Sequence, residues 1–166
     1  TPMNRILKST LVLALAMCLL PAVAHAQDSS ALARGHVFYA SDFESADALK
    51  EWPGAKATLE AGCKGGHALC IQRPAGSERG SAMVRKVLPV EKMRGYVVFF
   101  SAMVKAEKVS QRPQSWNGVK FMAPMVMASG KSWPAAKIDV GTFDWQRVAF
   151  RVAVPEDAKE LSLCLG

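Results

Sequence analysis

An all-β fold, in the form of a β-sandwich, is predicted by two features of this 166-residue sequence. First, apolar residues alternate with polar or small ones, as at Val148, Phe150, Val152 and Val154, and this period of two is typical of strands with one buried face. Second, turn-forming Gly, Pro, Asn and Asp residues separate about eight or nine such segments. Many short strands with almost no helix favour a sandwich of two sheets.

The N-terminal segment has the three-part layout of a secretory signal peptide. Arg5 and Lys8 precede an apolar run over residues 11–20, and Ala24-His25-Ala26 then supplies small residues that a signal peptidase accepts. The apolar run is shorter than a membrane-spanning helix needs. We predict a signal peptide over residues 1–26 with cleavage after Ala26, then a short linker over 27–36. The alternative is a buried N-terminal helix. Export implies a secreted or periplasmic protein with no membrane association after cleavage.

The remaining chain, 37–166, is predicted to form one domain. The helix-like stretch covers 45–52, with Ser45 as N-cap and Pro53 beyond its end. The predicted strands cover 37–40, 55–60, 68–73, 81–88, 95–105, 118–128, 135–140, 146–154 and 160–165. The segment 95–105 is apolar on both faces, which indicates a central strand or one that lines a ligand face.

The C-terminal residues start a new alternation. Pro155 ends one strand because it has no N–H to donate, and Leu161, Leu163 and Leu165 then begin the next. The sequence stops within that strand. We therefore expect the chain to be a fragment of a longer product whose closing strand is missing.

Charge and motifs argue against nucleic-acid binding and against catalysis within this segment. The net charge is +7, but the 21 basic residues are spread along the chain and two of them belong to the predicted signal peptide. His36 and His67 lie outside any recognisable nucleophile motif. The carboxylates show no paired spacing, and no phosphate-binding loop is present. We predict no catalytic residue here.

Three cysteines remain after the predicted cleavage: Cys63, Cys70 and Cys164. Cys63 and Cys70 bracket Gly65-Gly66, which can return the chain on itself, so a Cys63–Cys70 disulfide is the first expectation in an oxidising compartment. A Cys70–Cys164 pair is the alternative. A zinc site is not favoured, since no Cys-x-x-Cys pair or histidine cluster accompanies these residues.

Five short segments carry a family resemblance. They are Asp42-Phe43-Glu44, then the segments 66–71 (GHALCI), 96–105 (YVVFFSAMVK), 144–148 (DWQRV) and 163–166 (LCLG). In this order and spacing they resemble the β-jelly-roll carbohydrate-binding modules of the family 4, 9 and 22 type, within the galactose-binding-like sandwiches. The resemblance covers about 37–166. It implies a jelly roll that binds a polysaccharide or oligosaccharide without catalysis, N-terminal to and tethered to a glycoside hydrolase domain.

The same resemblance implies a structural calcium ion. Calcium prefers carboxylate and carbonyl oxygens, and the family takes ligands from its first and closing strands, so Asp42 and Glu44 are the expected contributors. The alternative interpretation is that these two residues form an exposed turn pair.

Sugar binding uses aromatic rings stacked on pyranose faces, with polar groups that fix orientation. Trp116 and Trp133 are the predicted platforms because both lie in polar, turn-rich surroundings, although burial in the core is the alternative for each. Trp145 matches the framework Trp of the family, and Trp52 is expected to pack as a lid. The predicted hydrogen-bonding neighbours are Arg112, Gln114, Asn117, Lys120 and Arg147.

Two other functions compete with a separate binding module. One is an architectural or interaction jelly roll without a sugar site, because a fold does not fix a function. The other is a part of the catalytic unit of a polysaccharide-degrading enzyme. The sequence does not specify which glycan is bound.

Overall fold

The computed structural model describes residues 35–73 and 82–166. The chain divides into two compact units, Thr1–His36 and Val37–Gly166. The predicted signal peptide lies outside the described residues, as does the linker except for Gly35 and His36.

The described part of the second unit is all-β, as predicted. Its strands are β1 Thr58–Ala61, β2 His67–Cys70, β3 Val84–Val87, β4 Val97–Val109, β5 Phe121–Met122, β6 Met125–Met127, β7 Gly130–Ser132, β8 Gly141–Ala153 and β9 Ala158–Leu165. The helical content of the described residues is limited to three 3₁₀ turns at Ala48–Glu51, Cys63–Gly65 and Val90–Lys92. Every strand pair is antiparallel.

The main sheet is built around β9. On one edge β9 pairs with β3, with Val84 opposite Leu165. On the other edge it pairs with β5 and then β6, with Phe121 opposite Leu165 and Met125 opposite Leu161. β7 pairs with the far side of β6. A strand that has partners on both edges has its backbone polar groups satisfied within the sheet.

The second layer is a two-stranded ribbon formed by β4 and β8, each 13 residues long. Its register places Val98 opposite Val152 and Phe100 opposite Phe150. Register shifts follow Val104 and Ala106, so the ribbon is irregular at the end where β8 begins. The separate hairpin of β1 and β2 pairs Thr58 with Cys70 and Ala61 with His67.

One apolar core lies between the main sheet and the ribbon. The Phe150 ring of the ribbon stacks on Phe100 at 5.1 Å between ring centroids and meets Phe121 of the main sheet edge-on at 5.1 Å. Leu161 of β9 is fully buried, and Val148 and Val152 of β8 belong to the same cluster. The alternation predicted over 146–154 therefore points its apolar side into the core, and Pro155 follows the end of β8 as expected.

Several predicted boundaries are wrong, each for a local reason. Residues 37–40 form no strand, and the segment 45–52 shortens to the 3₁₀ turn Ala48–Glu51. The strand 118–128 is divided into β5 and β6 at Pro124, which lacks an N–H for a ladder. Residues 135–140 contribute only an isolated bridge from Ala135 to Met122. The short strand β7 was not predicted.

Trp52 packs as a member of the buried core cluster. It is 4% exposed, and its ring lies 6.2 Å from that of Tyr39 and 5.9 Å from that of Phe43. Trp145 differs from the expectation of a framework residue. It is half-buried beside the register shift of β8 and is not among the described residues that pack against the core cluster.

Candidate functional site

The loop between β4 and β5, residues 110–120, brings together most of the predicted ligand-binding residues. We call it the β4–β5 loop. A turn within it is closed from both sides, since the Gln114 N–H donates to Asn117 Oδ1 at 3.0 Å and the Asn117 N–H donates to the Gln114 carbonyl at 2.9 Å. Gly118 follows with φ +98°, a left-handed conformation that favours glycine. A Cβ at Gly118 would lie 2.9 Å from Nε of Arg112, so the turn packs directly on that side chain.

Two cations stand together in the β4–β5 loop. Arg112 Nη2 donates to the carbonyl of Ile138, and Lys120 Nζ donates to the carbonyl of Trp116. Burial lowers the pKa of Lys120 from its ordinary value, and the nearby positive charge of Arg112 lowers it further. Neither side chain belongs to an ion pair among the described residues. The site therefore presents positive charge without a carboxylate of its own.

Trp116 presents its ring to solvent from this loop, with 68% of its surface exposed. Trp133 is also exposed, at 62%, so burial in the core is ruled out for both rings. The backbones next to the two rings are tied near opposite ends of β5. The Trp116 carbonyl is tied to Lys120, just before β5, whereas Pro134 accepts the Ala123 N–H just after it. The structure places one predicted platform in the β4–β5 loop and the other apart from it.

Arg147 lies in a different place from the other predicted ligand-binding residues. It is on β8, opposite Met103 of β4, on the ribbon face that points away from the core. Its guanidinium carbon is 5.8 Å from the centroid of the Phe99 ring. Sequence reasoning did not select Phe99 as a site residue. The available signal was the strand with two apolar faces, one of which is exposed in the described part of the chain.

The predicted calcium ligands, Asp42 and Glu44, are engaged with protein groups. Asp42 Oδ1 accepts the Glu44 N–H at 3.1 Å, while Glu44 accepts the His67 N–H at 2.8 Å and approaches His67 Nδ1 at 3.0 Å. These bonds from His67 lower the pKa of Glu44 below its ordinary 4.5. The described residues contain no group of three or more metal-ligating side chains. Asp42 and Glu44 alone supply fewer oxygens than calcium requires, so other ligands would have to join them.

The predicted Cys63–Cys70 disulfide is not formed. Cys63, Cys70 and Cys164 are all free thiols in the described chain. Cys63 lies in the 3₁₀ turn that follows β1, whereas Cys70 lies at the opposite end of the hairpin, across from Thr58. The strand from His67 to Cys70 is about 10 Å long, and Cys63 lies in the turn beyond the His67 end of it, so the two thiols are at opposite ends of the hairpin. The alternative partner, Cys164, is buried within β9.

Comparison with protein-family models, with curated proteins and with solved structures finds no match to this chain. A separate search of the described residues for a helix long and apolar enough to cross a membrane finds none.

Proposed function

We propose that the unit Val37–Gly166 is a non-catalytic carbohydrate-binding module with a jelly-roll fold, and that the β4–β5 loop binds a polysaccharide. The observation that carries this proposal is the exposed ring of Trp116 next to a loop of amide and cationic side chains. Such a ring offers a flat apolar surface to the C–H face of a pyranose. Gln114, Asn117, Arg112 and Lys120 supply hydrogen-bonding groups around it.

The loop is suited to binding because its conformation is set before a ligand arrives. The turn of Gln114 and Asn117 is closed by two hydrogen bonds, and Lys120 is tied to the backbone of Trp116. A pre-ordered loop loses less conformational freedom when it binds, and this favours affinity. We further propose that the module is exported and is tethered to a glycoside hydrolase, where binding would raise the local concentration of the enzyme on its polymer.

Affinity electrophoresis of the whole chain tests the loop. In gels that contain soluble polysaccharides such as xylan, mixed-linkage glucan and hydroxyethyl-cellulose, we expect at least one polymer to slow migration. Trp116→Ala removes the stacking surface and is expected to raise the dissociation constant about tenfold. Trp133→Ala measures whether the second exposed ring forms an independent site, in which case its effect adds to that of Trp116→Ala.

Val87→Ala is a matched control, because Val87 is 67% exposed and lies on β3, away from the loop. It should migrate as the unaltered chain does. Unchanged migration of Trp116→Ala would remove the β4–β5 loop from the site. A chain that no polysaccharide slows would favour the architectural alternative.

A calcium ion at Asp42 and Glu44 is part of the same proposal. Calcium would compete with His67 for the oxygens of Glu44, so the His67 contacts would have to open on binding. Thermal unfolding in the presence of calcium or of a chelator tests this. We expect a higher midpoint with calcium and no calcium effect in Asp42→Asn. Equal midpoints with calcium and with chelator in the unaltered chain would exclude the ion.

A further inference from the structure

The outward face of the β4–β8 ribbon is a second surface with the properties of a binding site. We call it the ribbon face. Its central cross-strand pairs are Phe99 with Arg151, Ser101 with Ala149 and Met103 with Arg147. Val97 and Ala153 extend it at one end. Because side chains alternate along a strand, these residues point away from the core that Phe100 and Val148 occupy.

The ribbon face is apolar where a solvated sheet face is normally polar. Phe99 is 61% exposed, Val97 67% and Met103 45%. Contiguous exposed apolar residues on a folded protein commonly mark a site of interaction. The middle pair, Ser101 and Ala149, has small side chains, so the surface forms a shallow depression between the bulkier pairs on either side. It offers a shallow platform along the strands.

Two guanidinium groups flank the exposed ring. Arg151 is directly opposite Phe99 in the register, and the guanidinium carbon of Arg147 lies 5.8 Å from the centre of the Phe99 ring. Neither arginine takes part in an ion pair within the described chain. The acidic residues of the two ribbon strands, Asp144 and Glu107, are each paired with a lysine, Lys105 at 3.6 Å and Lys108 at 3.1 Å. The face therefore carries positive charge that its own carboxylates do not neutralise.

We propose that the ribbon face binds an anionic polysaccharide, with a sugar ring on Phe99 and the carboxylate or sulfate groups on Arg147 and Arg151. The planar guanidinium fork matches the oxygens of either anion, and the aromatic ring matches the apolar face of the sugar. This inference depends on the proposed carbohydrate-binding function, and it adds a second site and a ligand class to it.

Charge disfavours a second copy of the chain as the occupant. In a two-fold dimer the same patch meets itself, so both copies would bring their Arg147 and Arg151 into one interface. Like charges at an interface are repulsive, and the acidic residues of the ribbon strands, Asp144 and Glu107, already have lysine partners. An anionic polymer instead supplies the missing negative charge. An anionic lipid surface would supply the same charge, and the vesicle measurement below distinguishes it from a polymer.

The test compares matched charged and neutral polymers. The whole chain is run in affinity gels that contain carboxymethyl-cellulose or dextran sulfate, and in gels with hydroxyethyl-cellulose or dextran as neutral counterparts. We expect stronger slowing by the charged member of at least one pair, and we expect added salt to reduce it. The pair that shows the effect identifies carboxylate or sulfate as the preferred anion.

Arg147→Gln with Arg151→Gln is expected to weaken binding to the anionic polymer about fivefold or more, since two charge-assisted contacts are lost. Phe99→Ala is expected to weaken it about threefold or more through lost stacking. Lys137→Gln with Lys159→Gln is the control: it removes the same charge from exposed positions outside the ribbon face. Unfolding midpoints of all variants check that the fold is retained.

Equal losses in the arginine variant and in the lysine control would overturn the proposal, because net charge alone would then explain binding. Tighter binding to vesicles containing phosphatidylserine than to either anionic polymer, with the same dependence on the arginines, would also overturn it. So would an arginine-dependent dimer in sedimentation measurements. The proposal that the β4–β5 loop binds a polysaccharide is tested separately, because Trp116→Ala is assayed on neutral polysaccharides.

Discussion

β9 and the β4–β8 ribbon are both regular antiparallel structures, yet they differ in how many of their surfaces are covered. β9 has partners on both edges, and Leu161 and Ser162, which point to opposite faces, are each fully buried. The ribbon strands pair only with each other among the described strands, and one ribbon face leaves Phe99 and Met103 exposed. A strand covered on all sides serves stability, whereas a strand with one free apolar face is available for recognition.

The largest expected difference between the two regions is in the free energy of unfolding after one large side chain is truncated in each. Leu161→Ala empties a fully buried site on β9 and should lower the free energy of unfolding by about 2–5 kcal/mol. Phe99→Ala removes a larger side chain from the ribbon face and should change it by about 0.5 kcal/mol or less. Urea unfolding followed by tryptophan fluorescence measures both values. Similar losses would show that the ribbon face is covered in the folded chain.

A pair of serine substitutions gives a smaller effect of the same kind. Ser162 is buried on β9, and its Oγ accepts a hydrogen bond from Arg85 Nε at 2.8 Å. Ser162→Ala should destabilise the fold by about 1 kcal/mol, because Arg85 is exposed and can bond to water instead. Ser101→Ala, on the ribbon face, should be nearly neutral, within about 0.5 kcal/mol. A destabilising Ser101→Ala together with a neutral Ser162→Ala would contradict the distinction.

The smallest expected effect concerns reactivity and leaves stability unchanged. Cys164 is 5% exposed on β9, and burial raises the pKa of its thiol above the ordinary 9.0, although Arg85 opposes this shift. Little thiolate is present at neutral pH, so alkylation of Cys164 by iodoacetamide should be slow until the chain unfolds. Peptide mass spectrometry would follow labelling of Cys164 and of the less buried Cys63 in the same sample. Equal native-state labelling rates would show that β9 opens readily.

The elements that the sequence predicted well are those whose pattern repeats over several residues. The alternation over 146–154 predicted the buried side of β8, and Pro155 predicted its end. Trp52 was predicted to pack beside the short helical stretch, and it is buried in the core cluster. Single-residue chemistry was less predictable. Cys63 and Cys70 flank a turn, but hairpin register sets their separation, and that depends on which residues pair.

In the candidate site, too, some features were predictable from the sequence and others depended on long-range contacts. Exposed tryptophans in polar segments were predicted from composition, and Trp116 and Trp133 are both exposed. How the Trp133 segment attaches to the sheet was not predictable, because it depends on the hydrogen bond from the Ala123 N–H to the Pro134 carbonyl, a pairing without a local signal in the sequence. The position of Arg147 beside Phe99 likewise required the pairing of β4 with β8.

The sequence by itself determined that the described part of the unit Val37–Gly166 is all-β and which residues along β8 face the core, because a period of two is a local property of the strand. Only the tertiary structure decided which strand is covered on both sides and which keeps a free face. Coverage depends on long-range pairing, and β9 obtains its neighbours from β3, β5 and β6, whose positions in the chain give no local signal. The segment 95–105 was apolar on both faces in the sequence, and the fold left one of those faces, with Phe99 at its centre, open to solvent.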